Sequence, residues 1–230
     1  MCVGQAAHKT KVAGQGMKLR WCLPWITTYP LARLILKLRV SGRDRLARGA
    51  QILACNHVSN IDPVVVSWAA AREVHFLGKE ELFRHSRVSA WIIKTWNTWP
   101  VRRGIADMAA IRHCKELLRH RQTLVLFPEG TRSQDGTIHE FKPGVGMIAV
   151  DTGTPVVPTL LFGMDRSWIS YATDRDFVRR GFRVKPKRVT PIEVRFGEPV
   201  DSTGFSRSRE GYAEMTRLVE DRVRELRKVT

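Results

Sequence analysis

Read for the spacing of its apolar positions, the chain alternates short apolar runs with amphipathic stretches. Residues 46–55 end in Ile52-Leu53-Ala54-Cys55, an uninterrupted apolar run of strand length, and predict a buried strand. Residues 74–77, 98–101, 123–127, 156–162 and 192–196 predict further strands, with Pro158 making the fourth of these an edge or a bulge. Between them, helices are expected over 63–71, 88–96, 107–120, 143–151 and 207–228, with a short one over 79–84. Asp107 stands where it would cap a helix whose core face is Met108, Ile111, Cys114, Leu117 and Leu118. The last helix turns Tyr212, Met215, Leu218, Val219, Val223 and Leu226 to one side. Strands alternating with helices predict one α/β domain over 41–230, with a mixed, mostly parallel sheet flanked by helices.

Two stretches fall outside this alternation. Residues 1–18 read as a loose tail. Residues 19–40 carry Trp21 and Trp25, then Leu31, Leu34, Ile35 and Leu38 at helical spacing, with Arg33, Lys37 and Arg39 among them. That combination fits an amphipathic interfacial helix, or a helix that simply packs on the domain. Pro24 and Pro30 interrupt it, and no run of 18 uncharged apolar residues predicts a transmembrane span. Residues 166–190 read as irregular and strongly basic, either a second membrane-facing surface or a solvated loop.

Charge narrows the partners. The 230 residues hold 39 Lys and Arg against 22 Asp and Glu, a net +17, which favours anionic partners: nucleic acid, anionic lipid, phosphorylated metabolites or an acidic protein. No zinc-finger, RNA-recognition or cold-shock pattern accompanies the charge, so a nucleic-acid-binding module is the weaker alternative. The four cysteines are scattered without a Cys-x-x-Cys pair, which speaks against a zinc site and for reduced core thiols at Cys55 and Cys114.

Candidate chemistry gathers after the predicted strands. His57 follows the first, and Asp62 lies five residues on, followed by Pro63 at a helix start. A neutral imidazole can take a proton, and a carboxylate on its other nitrogen would fix the tautomer. Alone, His57 reads more simply as a structural histidine and Asp62 as an N-cap. Arg102 and Arg103 follow another strand, and guanidinium groups bind phosphate in bidentate fashion. Glu129, Gly130, Thr131 and Arg132 place a carboxylate, a flexible backbone, a hydroxyl and a guanidinium after a third. No Gly-x-Ser-x-Gly elbow offers a serine nucleophile, so a His-Asp pair would activate a hydroxyl of the substrate.

Taken together, these segments resemble the glycerolipid acyltransferase family, specifically the 1-acyl-sn-glycerol-3-phosphate acyltransferases. Asn56-His57-Val58-Ser59-Asn60-Ile61-Asp62 resembles the family's first block, Trp99-Pro100-Val101-Arg102-Arg103 its second, Phe127-Pro128-Glu129-Gly130-Thr131-Arg132-Ser133 its third and Thr154-Pro155-Val156-Val157-Pro158-Thr159 its fourth. The blocks fall within residues 50–165, and Asn97 stands where a glycine is common.

The resemblance implies a membrane-associated transfer of an acyl group to the sn-2 hydroxyl of lysophosphatidic acid, giving phosphatidic acid. The donor is a thioester of coenzyme A or acyl carrier protein, and neither metal nor cofactor is required. His57 is then the general base and Asp62 its orienting partner. Arg103, assisted by Arg102, and the Glu129, Gly130, Thr131, Arg132 loop bind the glycerol phosphate. The expected place is an anionic membrane surface, the cytoplasmic face of an inner membrane. An acyltransferase for another lyso-lipid, such as lyso-ornithine lipid, and a thioester hydrolase remain as alternatives.

Overall fold

A computed structural model describes residues 19–83, 97–101 and 107–228. The expected tail over 1–18, the expected helix over 88–96, and both Arg102 and Arg103 lie outside the described residues. Seven strands form one sheet: β1 (Arg39–Ser41), β2 (Gln51–Cys55), β3 (His75–Lys79), β4 (Thr98–Val101), β5 (Thr123–Leu126), β6 (Val156–Phe162) and β7 (Glu193–Phe196). Their spatial order is β1-β7-β6-β2-β5-β3-β4. The five strands from β6 to β4 run parallel, whereas β7 is antiparallel to β6 and parallel to β1. This is the expected mixed, mostly parallel sheet, with β2 at its centre and all five of its residues buried.

Helices cover both faces. The described ones are α1 (Leu19–Ile35), α2 (Asp62–Ala70), α3 (Met108–Arg119), α4 (Gly144–Thr152), α5 (Trp168–Thr173), α6 (Arg175–Arg179) and α7 (Arg209–Leu226). On one face Val65, Val66, Ala69 and Ala70 of α2 pack with Leu53, Val125 and Val157 of the sheet. On the other, Cys114 and Leu118 of α3, Val145 and Ile148 of α4 and Met215, Val219 and Val223 of α7 pack on Ile52, Leu124 and Leu160. Alternate residues of the parallel strands thus serve opposite layers, as the two-residue pleat dictates.

The chain leaves β2 toward the α2 layer and leaves β5 toward the α4 layer. These two strands are neighbours. Their carboxyl ends therefore flank the crevice where the winding of the sheet changes direction, the usual binding place in such folds.

Several elements differ from expectation. The expected strand over 46–55 is shorter: it begins at Gln51, and residues 46–50, which follow a 3-10 turn at Arg43–Arg45, are irregular. Lys79 ends β3 rather than opening a helix, and only a 3-10 turn follows at Glu80–Phe83. Met108 is exposed rather than in the core. β6 is no edge strand, since β2 and β7 flank it. Pro158 is tolerated because its backbone faces the side where β7 has already given way: its carbonyl accepts from the Gly197 amide at 2.7 Å, beyond the last ladder residue Phe196. The stretch expected to be irregular after residue 166 holds the short helices α5 and α6.

α1 continues through both Pro24 and Pro30 instead of breaking there. Tertiary anchors offset the lost backbone bonds. Trp25 stacks on Tyr29 at 4.7 Å and donates its indole N–H to the Trp68 carbonyl, while Trp68 donates to the Thr28 hydroxyl. Ala32 is buried, but Ile26, Leu31, Leu34 and Ile35 stay exposed.

Candidate active site

The loop after β2 is held by its own backbone. Asn56 is buried and its amide group pairs with the Leu161 carbonyl (3.0 Å) and N–H (2.7 Å) on β6, so the chain cannot slide as it leaves the strand. His57 comes next. Its Nδ1 lies 2.8 Å from Oδ2 of Asp62, and that same oxygen accepts the amides of Val58 (2.6 Å) and Ser59 (2.8 Å). A carboxylate only accepts, so Nδ1 carries the proton, and Nε2 is the lone-pair nitrogen left for substrate.

Asp62 was expected to cap α2. It is instead the first residue of that helix, Ile61 holds the cap position, and no side chain caps the turn. The carboxylate turns back toward the loop and His57, and Pro63 beside it needs no cap because it has no N–H to satisfy.

The loop after β5 encloses His57 from the neighbouring strand. The His57 amide donates to Oε1 of Glu129 (2.7 Å), and the His57 carbonyl accepts from the Ser133 amide (2.7 Å). Phe127 stacks on the imidazole with ring centres 4.3 Å apart. Gly130 makes the turn at φ 70°, a left-handed conformation that glycine adopts without strain. A Cβ there would sit 2.7 Å from the Lys142 ammonium.

Glu129, expected among the phosphate ligands, is buried, and both of its oxygens are engaged: Oε1 by His57, Oε2 by the His139 amide at 3.2 Å. Burial pushes its carboxyl up to about 7, although the two amides oppose that rise. Arg132 projects to the far side of the loop, where it pairs with Asp176 (2.6 Å) and Asp174 (3.3 Å) and lies over the Phe177 ring. Thr131 is exposed. The structure thus brings His57, Asp62 and the 129–132 loop together at the β2–β5 crevice.

The second block enters on β4, whose carboxyl end Val101 pairs with Lys79 at the end of β3. Asn97, just before β4, has φ 51°. Asparagine tolerates this left-handed region better than other non-glycine residues. The departure from glycine therefore keeps the backbone that glycine would give. Asn56, Phe127 and Ser133 were not singled out as site residues on sequence. A buried amide, a ring and a backbone N–H carry no chemistry of their own, and only their contacts reveal them.

Residues 37–161 match the family described as Acyltransferase, and the chain belongs to that family. The matched stretch spans β1 through nearly all of β6.

Among similar proteins, a 1-acyl-sn-glycerol-3-phosphate acyltransferase of Limnanthes douglasii is 29% identical over 176 residues, 74% of this chain and 57% of that one. One of Bacillus subtilis is 24% identical over 202 residues, covering 84% and 92%. The crystal structure of the 1-acyl-sn-glycerophosphate (LPA) acyltransferase PlsC from Thermotoga maritima superposes with a TM-score of 0.62 at 29% identity, covering 89% of this chain and 79% of that one. This chain spans only 50–57% of the length of three plant relatives.

Proposed function

We propose that this chain transfers an acyl group from a thioester of coenzyme A or acyl carrier protein to the sn-2 hydroxyl of 1-acylglycerol-3-phosphate. The observation that carries the reading is the His57–Asp62 contact at 2.8 Å, seated on the Glu129–Ser133 loop at the sheet's switch point. Nε2 of His57 removes the hydroxyl proton as the oxygen attacks the thioester carbon. Asp62 offsets the charge of the resulting imidazolium. The tetrahedral adduct then collapses, expelling the thiolate, which takes up the proton. No acyl-enzyme and no metal enters this sequence.

Thr131, Arg132 and the Gly130 backbone, with Arg103 and Arg102 from the second block, bind the acceptor's phosphate. Glu129 serves the same loop by holding the His57 backbone. Arg132 reaches phosphate by exchanging Asp176, which is 39% exposed at its side chain and can turn to water. The membrane supplies the acceptor. The exposed apolar residues of α1, together with Trp168, Phe182, Val184 and Val189 set among Arg166, Lys185, Lys187 and Arg188, give the chain an apolar and cationic surface suited to anionic lipid. No described helix is long and apolar enough to cross a membrane.

The test is a panel of acceptors. Lysophosphatidic acid, lyso-ornithine lipid and glycerol-3-phosphate are offered with acyl-CoA and with acyl carrier protein, and product is followed by mass spectrometry. The fastest transfer is expected to lysophosphatidic acid. A better rate on either other acceptor overturns the assignment, and free fatty acid released as fast without acceptor makes the chain a hydrolase.

A further inference from the structure

The segment after β6 carries a buried guanidinium that lies beyond the family-matched stretch 37–161 and has no part in the chemistry above. Arg183 is 3% exposed. Its Nη2 donates to the carbonyls of Val58 (2.8 Å) and Ser133 (3.1 Å), and its Nη1 to those of Gln134 and Phe182. Val58 follows His57 directly, and Ser133 and Gln134 close the loop after β5. One planar group therefore ties the two active-site loops together.

Asp174 does the same with the opposite charge. It is fully buried, and its Oδ1 accepts from the Asn60 amide (2.9 Å) in the first loop and from Arg132 (3.3 Å) in the second. Between themselves the two residues meet poorly. Arg183 Nε and Asp174 Oδ2 stand 3.8 Å apart, and neither atom has a hydrogen-bond partner among the described residues. A buried pair of that geometry is a weak source of stability. The good bonds of both residues run outward, to the loops. Phe177 packs against the guanidinium groups of Arg132 and Arg183, at 4.3 and 5.0 Å, and fixes their spacing.

We infer that Arg183 and Asp174 are positioning residues for acyl transfer, clamping the His57 loop to the Glu129–Arg132 loop so that base and phosphate ligand keep a fixed separation. The clamp needs a rigid fork of donors. A lysine ammonium keeps the charge beside Asp174 but cannot span carbonyls on two loops.

The inference rests on the proposed function for its kinetic readout alone. The full chain is compared with Arg183→Lys and Arg183→Ala. The folded fraction is measured by denaturation, with kcat per folded molecule and KM for acyl-CoA and lysophosphatidic acid. The downfield proton NMR signal of His57 Nδ1–H, assigned by its loss in His57→Ala, is read alongside. Arg183→Lys is expected to fold, to lose at least tenfold in kcat per folded molecule, and to show a broadened or upfield-shifted Nδ1 proton. Added methylguanidinium restores part of the activity of Arg183→Ala and none of that of His57→Ala. If Arg183→Ala does not fold, the lysine variant decides. A kcat per folded molecule within twofold of wild type in Arg183→Lys overturns the clamp. Should the wild type transfer to no acceptor, the function reading fails, and an unchanged Nδ1 signal in Arg183→Lys then overturns the clamp by itself.

Discussion

One oxygen of Asp62 accepts from His57 and from two backbone amides, while no described residue meets the other. This division lets a single substitution separate charge from shape. In Asp62→Asn the amide oxygen can keep all three bonds, and the new NH2 group falls where nothing was bound. Fold and tautomer persist, but the imidazolium loses its counter-charge. The expected result is an unchanged melting temperature with kcat lower by on the order of a hundredfold or more. Asp62→Ala also strands the amides of Val58 and Ser59 and should lose about 1–3 kcal/mol of stability besides; equal melting temperatures for the two variants would count against this account.

Glu129 gives a pH dependence of stability. Its carboxyl rises from 4.5 to about 7 because burial disfavours the charge. The folded state therefore holds a proton that the unfolded chain releases. This group's contribution is complete below about 4.5 and is lost as pH climbs through about 7. Wild type should lose on the order of 1–3 kcal/mol from this source between those limits, and Glu129→Gln should lack that slope. Urea midpoints of the two proteins at pH 5 and pH 8 measure it, and parallel slopes would refute it. The His57–Asp62 spacing was legible in sequence because five residues of tight loop leave few ways to arrange the pair. The partners of Glu129 were not, since a carboxylate after a strand can face a ligand or a backbone amide equally well.

Among the elements, α4 crosses α7 at Gly146, where an added Cβ would stand 2.1 Å from the Tyr212 carbonyl oxygen and 2.5 Å from the Thr216 hydroxyl. Both neighbours belong to a helix packed on the sheet, so neither yields cheaply. Gly146→Ala should cost about 1–3 kcal/mol or more by overpacking, seen as a lower urea midpoint at constant m-value. The turn into β4 behaves oppositely. Asn97→Gly preserves the φ of 51° and should be tolerated better than Asn97→Val, which forces a β-branched residue into the left-handed region. Strand and helix order was legible from apolar spacing, because β2, β5 and β6 carry the short apolar runs Ile52–Cys55, Leu124–Leu126 and Leu160–Phe162. The course of α1 and the short helices α5 and α6 were not, because long-range contacts such as Trp25 to Trp68 hold them against their local preference.

Across the whole molecule the net charge is +17, and among the described residues few cations are buried. Association with anionic vesicles should be strong at low salt and weaken steeply as salt screens the surface, at about 1 kcal/mol for each basic residue near the bilayer. Co-sedimentation with phosphatidylglycerol vesicles, against phosphatidylcholine alone, checks this. Removing Lys185, Lys187 and Arg188 together should weaken binding to the anionic vesicles and leave transfer to a soluble short-chain acceptor intact. Equal binding by the triple variant would move the contact elsewhere.

The central place of β2 also bears on the birth of the protein. His57 is made before its supports, for the strands beside β2 begin at Thr123 and Val156, and the clamp closes only with Arg183. At a synthesis rate of about 5–20 residues per second, the histidine waits roughly 6–25 seconds on the ribosome before its last support exists. Until Thr123–Leu126 and Val156–Phe162 have been made, Ile52, Leu53, Ala54 and Cys55 are an apolar strand without neighbours, the part of the nascent chain a chaperone has most reason to cover.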